Sequence, residues 1–231
     1  MVELTDTLKK KKITFFSDTH TLHGMMNLGR YEPFIGSDIV AFAGDCMSSG
    51  YNKSELLNFI EWYKNMPVKI KLMIAGNHDR ILEKMSQDEL SDIFKDTDII
   101  YLNDSGVEID GIKFFGSPIQ PFFHSWAFNR LPGDDIEKHW NLIPEDIDIL
   151  ITHGPAYGIL DKVINPYQIN KHVGCPQLLK HIQRIKPKYH ICGHIHEAYG
   201  IETVGETTYI NASVLNEDYK LVNEPISIFY E

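Results

Sequence analysis

Short apolar runs recur along the chain, and most are rich in β-branched or aromatic residues. Five of them predict buried strands: 12–17, 38–43, 69–75, 147–152 and 189–192. Near-continuous apolar runs of this length, separated by helix-like segments, are typical of strands that are covered on both faces. The pattern therefore predicts an α/β fold.

Helical patterns lie between some of these runs. Helices are expected over 53–65, 86–95 and 176–186. Ser54 can cap the first helix, and Ser86 with Glu89 three residues later forms a capping-box pattern for the second. The third candidate starts with a proline.

Further strands complete the predicted fold. They are expected over 99–102, 107–110 and 112–116, with Asp110-Gly111 as a hairpin turn, and as β-hairpins within 199–229. All these elements fit a four-layer α/β/β/α sandwich, in which two mixed β-sheets pack face to face between helices.

Polar stretches follow the five predicted buried strands. They are SDTH at 17–20, GD at 44–45, GNHD at 76–79, THG at 152–154 and GHIH at 193–196. Loops at the carboxyl ends of strands are where open α/β sheets collect their ligands. The five stretches are therefore predicted to converge on one rim.

These stretches supply oxygen and imidazole donors. The candidate metal ligands are Asp18, His20, Asp45, Asn77, His153, His194 and His196. In the D-x-H and H-x-H spacings, both members of a pair project to the same side of an extended chain. The two carboxylate oxygens of Asp45 can bridge two cations. Such a set without thiolate suits Mn, Fe, Zn or Ni and argues against Cu(I) or an iron–sulfur cluster.

The chemistry that these residues predict is two-metal phosphoester hydrolysis. Two cations about 3.5–4 Å apart can hold a bridging water, make it hydroxide-like and neutralise charge on a phosphoryl group. His78 follows Asn77 and precedes Asp79. An imidazole held by a carboxylate suits general acid catalysis, so His78 is expected to protonate the departing alkoxide rather than bind metal.

In order and spacing, the motifs resemble those of the calcineurin-like metallophosphoesterases. The family pattern D-x-H, G-D, G-N-H-[DE], [GT]-H and G-H-x-H is matched over most of the chain. The resemblance implies two metal ions that share Asp45 and a His78 that contacts the phosphate and the leaving group. It implies that the other ligands of one metal are Asp18, His20 and His196, and those of the second are Asn77, His153 and His194.

Other stretches are similar to one subgroup, the metallophosphoesterase-domain-containing proteins. They are GSPIQPFFHSWAFN at 116–129, THGPAYGILD at 152–161, VGCPQLL at 173–179, GHIHEAYG at 193–200 and YINAS at 209–213. This resemblance implies hydrolysis of a cyclic-nucleotide phosphodiester. The chain departs from the subgroup at Ala156, where a second proline is common.

The loop from Pro118 to Asn129 is dense in aromatic residues. Such rings bury large areas, which favours a role in the core or a lid. Their faces can also stack on a nucleobase. Trp126 is therefore a candidate stacking residue, and Asn129 and Tyr157 are candidate readers of a base or ribose. Whether the loop binds substrate or only packs is left open.

Composition limits the remaining alternatives. The 231 residues, 43% of them hydrophobic, predict one domain over 1–231. The net charge of −10 argues against extended nucleic-acid binding. The three cysteines form no disulfide pattern, which favours a reducing compartment. Because the sequence also has no signal-peptide core and no apolar run of membrane-spanning length, we expect a cytoplasmic protein with no membrane association. The oligomeric state is left open.

Several functions remain compatible with the sequence. The leading one is a dimetal phosphodiesterase on a small substrate such as a cyclic nucleotide, with Mn as the first expectation and Fe, Zn or Ni as alternatives. A protein phosphatase is disfavoured because GDCMSSG has no arginine to hold phosphate. A nuclease is disfavoured by the acidic charge. A non-catalytic binding protein would be expected to have lost ligands.

Overall fold

The structure is a computed structural model that describes residues 10–29, 31–164 and 171–231. Its strands are β1 Lys11–Phe16, β2 Ile39–Ala43, β3 Ile70–Ile74, β4 Ile99–Tyr101, β5 Ser105–Ile109, β6 Ile112–Ser117, β7 Gln120–Pro121, β8 Asn129–Arg130, β9 Ile149–Thr152, β10 Lys162–Val163, β11 Lys171–His172, β12 Tyr189–Cys192, β13 Gly200–Val204, β14 Thr207–Asn211 and β15 Ile226–Tyr230. Its α-helices are α1 Lys53–Lys64, α2 Arg80–Lys84, α3 Gln87–Phe94, α4 Asp134–Trp140 and α5 Pro176–Ile185. The 3₁₀ segments are Leu22–Gly29, Glu32–Phe34 and His196–Ala198. Within the described ranges, every helix is too short or too polar to cross a membrane.

The longer strands form two mixed sheets, as predicted. Sheet one has the order β15-β1-β2-β3-β4, with β1 to β4 parallel and β15 antiparallel to β1. Sheet two has the order β13-β14-β12-β9-β6-β5, with a parallel centre and an antiparallel strand at each edge. Two small sheets pair β7 with β8 and β10 with β11. The parallel strands of both sheets end on the side where the candidate ligands lie.

Side-chain alternation along the strands builds two cores. One lies between the sheets and includes Ile13, Phe15, Ala41, Leu72, Ile149, Ile191 and Ile210. The neighbouring residues of the same strands face the helices: the ring centroid of Phe42 in β2 lies 4.5 Å from that of Phe59 in α1. On sheet two, Leu150 shares a core cluster with Trp140 of α4 and Ile182 of α5. The predicted four-layer sandwich is therefore confirmed.

The helix boundaries follow their capping residues. Ser86 and Glu89 form the predicted capping box of α3. The cap of α1 is Asn52, whose side chain accepts a hydrogen bond from the backbone N of Ser54. The prediction of Ser54 as the cap was therefore two residues late. Pro176 occupies the first turn of α5, where its missing N–H costs nothing.

The C-terminal segment differs from the expected hairpins. β13 and β14 do pair as a hairpin, but β15 crosses to sheet one and pairs with β1. In β15, Ile226 and Tyr230 are buried while Ser227 is exposed. This alternation indicates a half-buried strand but does not specify its partner. The pattern also gave no indication of α2, α4 and the two small sheets.

The hydroxyl of Tyr63 tests the packing of α1 on sheet one. It is fully buried and lies 2.8 Å from the carbonyl oxygen of Leu72 and 3.0 Å from that of Val40. We expect Tyr63→Phe to lower the free energy of unfolding by about 1–2 kcal/mol, because a buried hydrogen bond is lost. Urea denaturation measures the change. Tyr51→Phe, at an exposed tyrosine, is the control, and equal stability of the two variants would contradict the expectation.

Candidate metal centre and its cleft

All seven predicted ligands follow the carboxyl ends of five strands: six lie in loops, and His196 begins the 3₁₀ segment His196–Ala198. Those after β1, β2 and β3 of sheet one are Asp18, His20, Asp45 and Asn77, and those after β9 and β12 of sheet two are His153, His194 and His196. Six of the side chains are buried, and His194 is partly buried. The two sheets thus bring every one of these residues to one rim, where the sequence predicted them.

One cluster of candidate ligands joins the first and last motifs. Nε2 of His196 lies 3.3 Å from Oδ1 of Asp18. A side-chain atom of His20 completes this group, whose ligand atoms lie within 4.8 Å of one another. Residues almost 180 positions apart in sequence are therefore placed around one small volume.

A second cluster lies beside the first and is centred on Asp45. Nε2 of His153 lies 3.2 Å from Oδ2 of Asp45 and 2.9 Å from Oδ1 of Asn77. His194 belongs to this group as well. The same Oδ2 lies 3.7 Å from Nε2 of His20 in the first cluster. Asp45 therefore lies between the two clusters, as a bridging ligand would.

Close backbone approach shapes the loops around these carboxylates. A Cβ on Gly76 would lie 2.2 Å from Oδ1 of Asp45, and a Cβ on Gly193 would lie 2.2 Å from Oδ2 of Asp18. Asp18 and Asp45 themselves have positive φ angles of 56° and 64°. Such angles are uncommon for residues other than glycine and cluster at functional sites. Gly76 of GNHD and Gly193 of GHIH are therefore required, because a side chain at either position would collide with a candidate ligand carboxylate.

Backbone carbonyl groups orient three of the imidazole rings. Nδ1 lies 3.1 Å from the Met47 oxygen in His20, 2.9 Å from the Ala43 oxygen in His153 and 3.0 Å from the Asn216 oxygen in His196. Because a carbonyl oxygen only accepts, each Nδ1 carries the proton. Each Nε2 then points toward the carboxylates, which is the usual arrangement of histidines that bind metal.

The buried carboxylates attract positive charge. Burial disfavours the ionised form of Asp18, but the hydrogen bond and charge of His196 outweigh it and lower the pKa of Asp18 to about 2. Burial likewise opposes ionisation of Asp45, and His153 more than compensates, so the pKa of Asp45 is well below its usual range. Burial alone would lower the pKa of His153, but Asp45 raises it to about 9. The site thus requires cationic partners.

Other imidazoles of the centre are neutral and available as ligands. Burial lowers the pKa of His20 to about 4 and that of His194 to about 3. Nε2 of His20 is buried and has no hydrogen-bond partner within the described residues. An imidazole nitrogen that has no hydrogen-bond partner and lies beside two anionic carboxylates is a suitable ligand for a divalent cation. The donor set therefore fits metal ions.

His78 lies at the edge of the centre. Its Nδ1 donates to the carbonyl of Ser48. Its ring stacks on Trp126, with centroids 4.0 Å apart and planes 27° apart. A side-chain nitrogen of His78 also falls within 4.8 Å of ligand atoms of His20 and Asp45. With Nδ1 occupied, Nε2 is the atom left to meet a substrate.

The expected pairing of His78 with Asp79 is wrong. The Asp79 carboxylate is fully buried and accepts hydrogen bonds from four backbone N–H groups, those of Asp45, Cys46, Met47 and Gly76, at 2.8 to 3.1 Å. Adjacent residues in a tight turn project in different directions, so sequence neighbours need not touch. Asp79 fastens two ligand loops together, and a carbonyl and an indole position His78.

A cleft of 580 Å³ opens over the centre. Its floor includes His20, Asp45 and Asn77, and its walls include Phe122 and Phe123, whose side chains are more than half exposed. None of the described residues that line it is Lys or Arg. Its apolar walls and imidazole floor suit a small ligand with little excess negative charge.

The three residues predicted to recognise a substrate have different positions. Trp126 lines the cleft, but it also carries His78 on its ring, and the Arg80 guanidinium lies 4.5 Å from its centroid. Asn129 donates to the carbonyls of Phe123 and His124. Tyr157 is exposed, and neither it nor Asn129 is among the described residues of the cleft wall.

Two cleft residues were missed by the sequence reasoning. The ring centroid of Tyr219 lies 5.0 Å from that of His20 and 4.9 Å from that of His196. Gln120 lines the cleft and is only 2% exposed. A glutamine between Ile119 and Pro121 carries no signal in a single sequence beyond its place in the aromatic stretch. Tyr219 follows the last motif by more than twenty residues.

Comparison with known proteins supports the same assignment. The family model described as calcineurin-like phosphoesterase matches residues 11–198. The chain is 39% identical to the human metallophosphoesterase domain-containing protein 1, over 92% of this chain and 68% of that protein. It is 35% identical to UPF0046 protein K07C11.7 of Caenorhabditis elegans, over 98% of this chain and 77% of that protein.

A solved structure shares the fold. The crystal structure of phosphopantetheinyl hydrolase from Mycobacterium tuberculosis superposes with a TM-score of 0.63, covering 91% of this chain and 92% of the other. At 11% identity, this likeness concerns the fold alone. The family match, the relatives and the two ligand clusters agree with one another. The chain therefore belongs to the calcineurin-like phosphoesterase family and is a phosphoester hydrolase.

Proposed function

We propose that the protein is a dimetal-dependent phosphodiesterase that acts on a small substrate such as a cyclic nucleotide. The observation that carries this proposal is the pair of buried ligand clusters around Asp45 at the floor of a 580 Å³ cleft. That volume lies within the range of small-molecule sites. A nucleic acid would instead require an open groove lined with basic residues.

The residues that hold the metals follow from the two clusters. Asp18, His20 and His196 belong to one metal, and Asn77, His153 and His194 to the other, with Asp45 shared. When bound, two divalent ions would lower the pKa of a water and offset the charge that builds up on the phosphoryl group. Mn is the first candidate, with Fe, Zn and Ni as alternatives that the same donors accept.

His78 is the proposed general acid. Its Nδ1 is held by the Ser48 carbonyl, so a proton for the leaving group comes from Nε2. The stacked Trp126 ring fixes the plane of the imidazole. The backbone N of His78 donates to Oδ1 of Asp45 at 2.7 Å, which ties the acid to the bridging carboxylate. This backbone hydrogen bond fixes the position of the proposed acid relative to the proposed bridging ligand.

The charge of the cleft favours a diester. A phosphodiester carries one negative charge, whereas a monoester carries up to two near neutral pH. The described lining has no Lys or Arg to meet a second charge, and Glu197 and Glu217 border the adjoining hollow next to Tyr219. The same feature disfavours a polyanionic nucleic acid. A small diester therefore matches the electrostatics best.

The direct test is turnover by metal-stripped protein that has been resupplied with Mn²⁺. The substrates are 2′,3′-cAMP, 3′,5′-cAMP, bis-p-nitrophenyl phosphate and p-nitrophenyl phosphate, assayed side by side. We expect metal-dependent cleavage of diesters to exceed that of the monoester in kcat/KM. Preference for the monoester would overturn the diesterase assignment, and no turnover of any of the four would leave a binding role.

Metal content tests the shared ligand. Asp45→Ala should lose both metal ions and all measurable activity, because its carboxylate lies between the two clusters. His196→Ala should lose only the ion held with Asp18. Elemental analysis by mass spectrometry after gel filtration gives the ratio of metal to protein. Asp88→Asn, at an exposed position of α3, is the control, and two retained metals in Asp45→Ala would refute the bridge.

Leaving-group dependence tests the role of His78. A departing ribose alkoxide needs a proton, whereas p-nitrophenolate leaves without one. We expect His78→Ala to keep its metals and to lose roughly 10²–10⁴-fold in kcat on 2′,3′-cAMP, with a much smaller loss on bis-p-nitrophenyl phosphate. His124→Ala, which removes an exposed imidazole at the cleft wall, is the comparison. Equal losses on the two substrates would show that His78 is not the acid.

A further inference from the structure

Gln120 is a buried polar residue in the wall of the cleft. It is 2% exposed and lies in β7, directly opposite Asn129 of β8 in the small two-stranded sheet. Its backbone N donates to the carbonyl of Phe128 at 3.1 Å. The side-chain amide is therefore held on a short but fixed piece of β-structure beside the proposed phosphodiester site.

The orientation of the Gln120 amide is set by a chain of hydrogen bonds. Nδ2 of Asn129 lies 2.9 Å from the carbonyl oxygen of Phe123 and 3.1 Å from that of His124, and these oxygens only accept. Oδ1 of Asn129 must then face Gln120, whose Nε2 donates to it at 3.2 Å. Rotating either amide would bring two acceptors together. Oε1 of Gln120 is thus directed away from Asn129.

This oxygen has no donor. Oε1 of Gln120 is buried and unpaired among the described residues. Leaving a buried acceptor unpaired costs about 1–3 kcal/mol, so such atoms are usually satisfied by a ligand or an ordered water. A Cβ on Gly154, another residue of the cleft wall, would lie 3.8 Å from it. Gly154 presents no side chain between this oxygen and the cleft, so this is the side on which a substrate donor would meet it.

We propose that Oε1 of Gln120 accepts a hydrogen bond from an N–H or O–H group on the organic part of the substrate. An acceptor repels the oxygens of a phosphoryl group, so it does not hold the phosphate. It selects instead diesters that carry a donor, such as a sugar hydroxyl or a base N–H, over diesters that lack one. Asn129 acts through Gln120 as a positioning residue. This inference rests on the proposed phosphodiesterase function.

The test compares two substrates, one that carries donors on its organic part and one that does not. One is the p-nitrophenyl ester of thymidine 5′-monophosphate, with a 3′-hydroxyl and a base N–H, and the other is its analogue methylated at both. Both release the same leaving group. We expect wild type to favour the donor-bearing ester in kcat/KM by roughly tenfold or more, since a site built to accept a hydrogen bond discriminates against analogues without the donor.

Gln120→Met keeps the length of the side chain and removes its acceptor. We expect this variant to discriminate between the two esters at least about fivefold less than wild type, mainly through a lower kcat/KM for the donor-bearing ester. Gln183→Met makes the same change at an exposed position of α5, remote from the cleft, and should discriminate as wild type does. Thermal melting of both variants checks the fold. If Gln120→Met does not fold, Asn129→Ala replaces it, because it removes the acceptor that holds Nε2 of Gln120; the amide is then free to rotate, and discrimination should fall in the same direction.

The outcomes separate this inference from the proposed function. Metal-dependent turnover of any phosphodiester, whether bis-p-nitrophenyl phosphate, a cyclic nucleotide or a thymidine ester, reports the diesterase itself, and the absence of turnover of all of them would refute the proposed function. With that turnover present, a wild type that treats both thymidine esters alike would show that water satisfies Oε1. Undiminished discrimination in folded Gln120→Met would also overturn the inference, because the donor would then be recognised elsewhere.

Discussion

The burial of Asp18 and Asp45 between two β-sheets is the constraint on which the rest of the site depends. An ionised carboxylate cannot be moved out of water without compensation, and the protein supplies several kinds. Ser17 and the backbone N of His194 donate to Asp18, and that of His78 donates to Asp45. These bonds do not balance the charge. Imidazoles surround the two carboxylates and offset part of their negative charge, and divalent ions would neutralise the remainder.

Asp79 shows how the fold holds this unfavourable arrangement in place. Its four backbone donors come from the loops after β2 and β3, so one carboxylate fixes the spacing between the bridging Asp45 and the GNHD turn. Burial and the charge of Asp45 raise the pKa of Asp79 to about 6, against the effect of its donors. The sequence suggested a catalytic partner, but the carboxylate acts on the backbone, at a distance from the chemistry.

The parts of the structure that the sequence predicted correctly are those in which local pattern determines the outcome. Buried parallel strands have continuous apolar runs, and polar residues directly after them must lie at one edge, so the convergence of Asp18 with His196 follows from spacing. Whether β15 would join sheet one or sheet two depends on a partner more than 200 residues away in sequence, which no local pattern encodes. The same holds for Gln120, because whether its side-chain oxygen has a hydrogen-bond donor depends on contacts that no local sequence pattern specifies.

The loop from Pro118 to Asn129 connects the cleft wall with the metal centre. The sequence left open whether it binds substrate or packs, and the structure shows that it packs on the GNHD turn and that several of its residues line the cleft. It is fastened to the GNHD turn by the backbone N of Ala127, 3.2 Å from the carbonyl oxygen of Asn77, and by Arg80, whose guanidinium donates to the carbonyl of Ser125 at 2.6 Å. Within this loop, the ring of Trp126 stacks on that of His78, and Gln120 lies in β7. A shift of the loop would therefore move the proposed acid and the proposed acceptor together. Substrate specificity and proton transfer in this protein are accordingly expected to change in concert when the loop is altered.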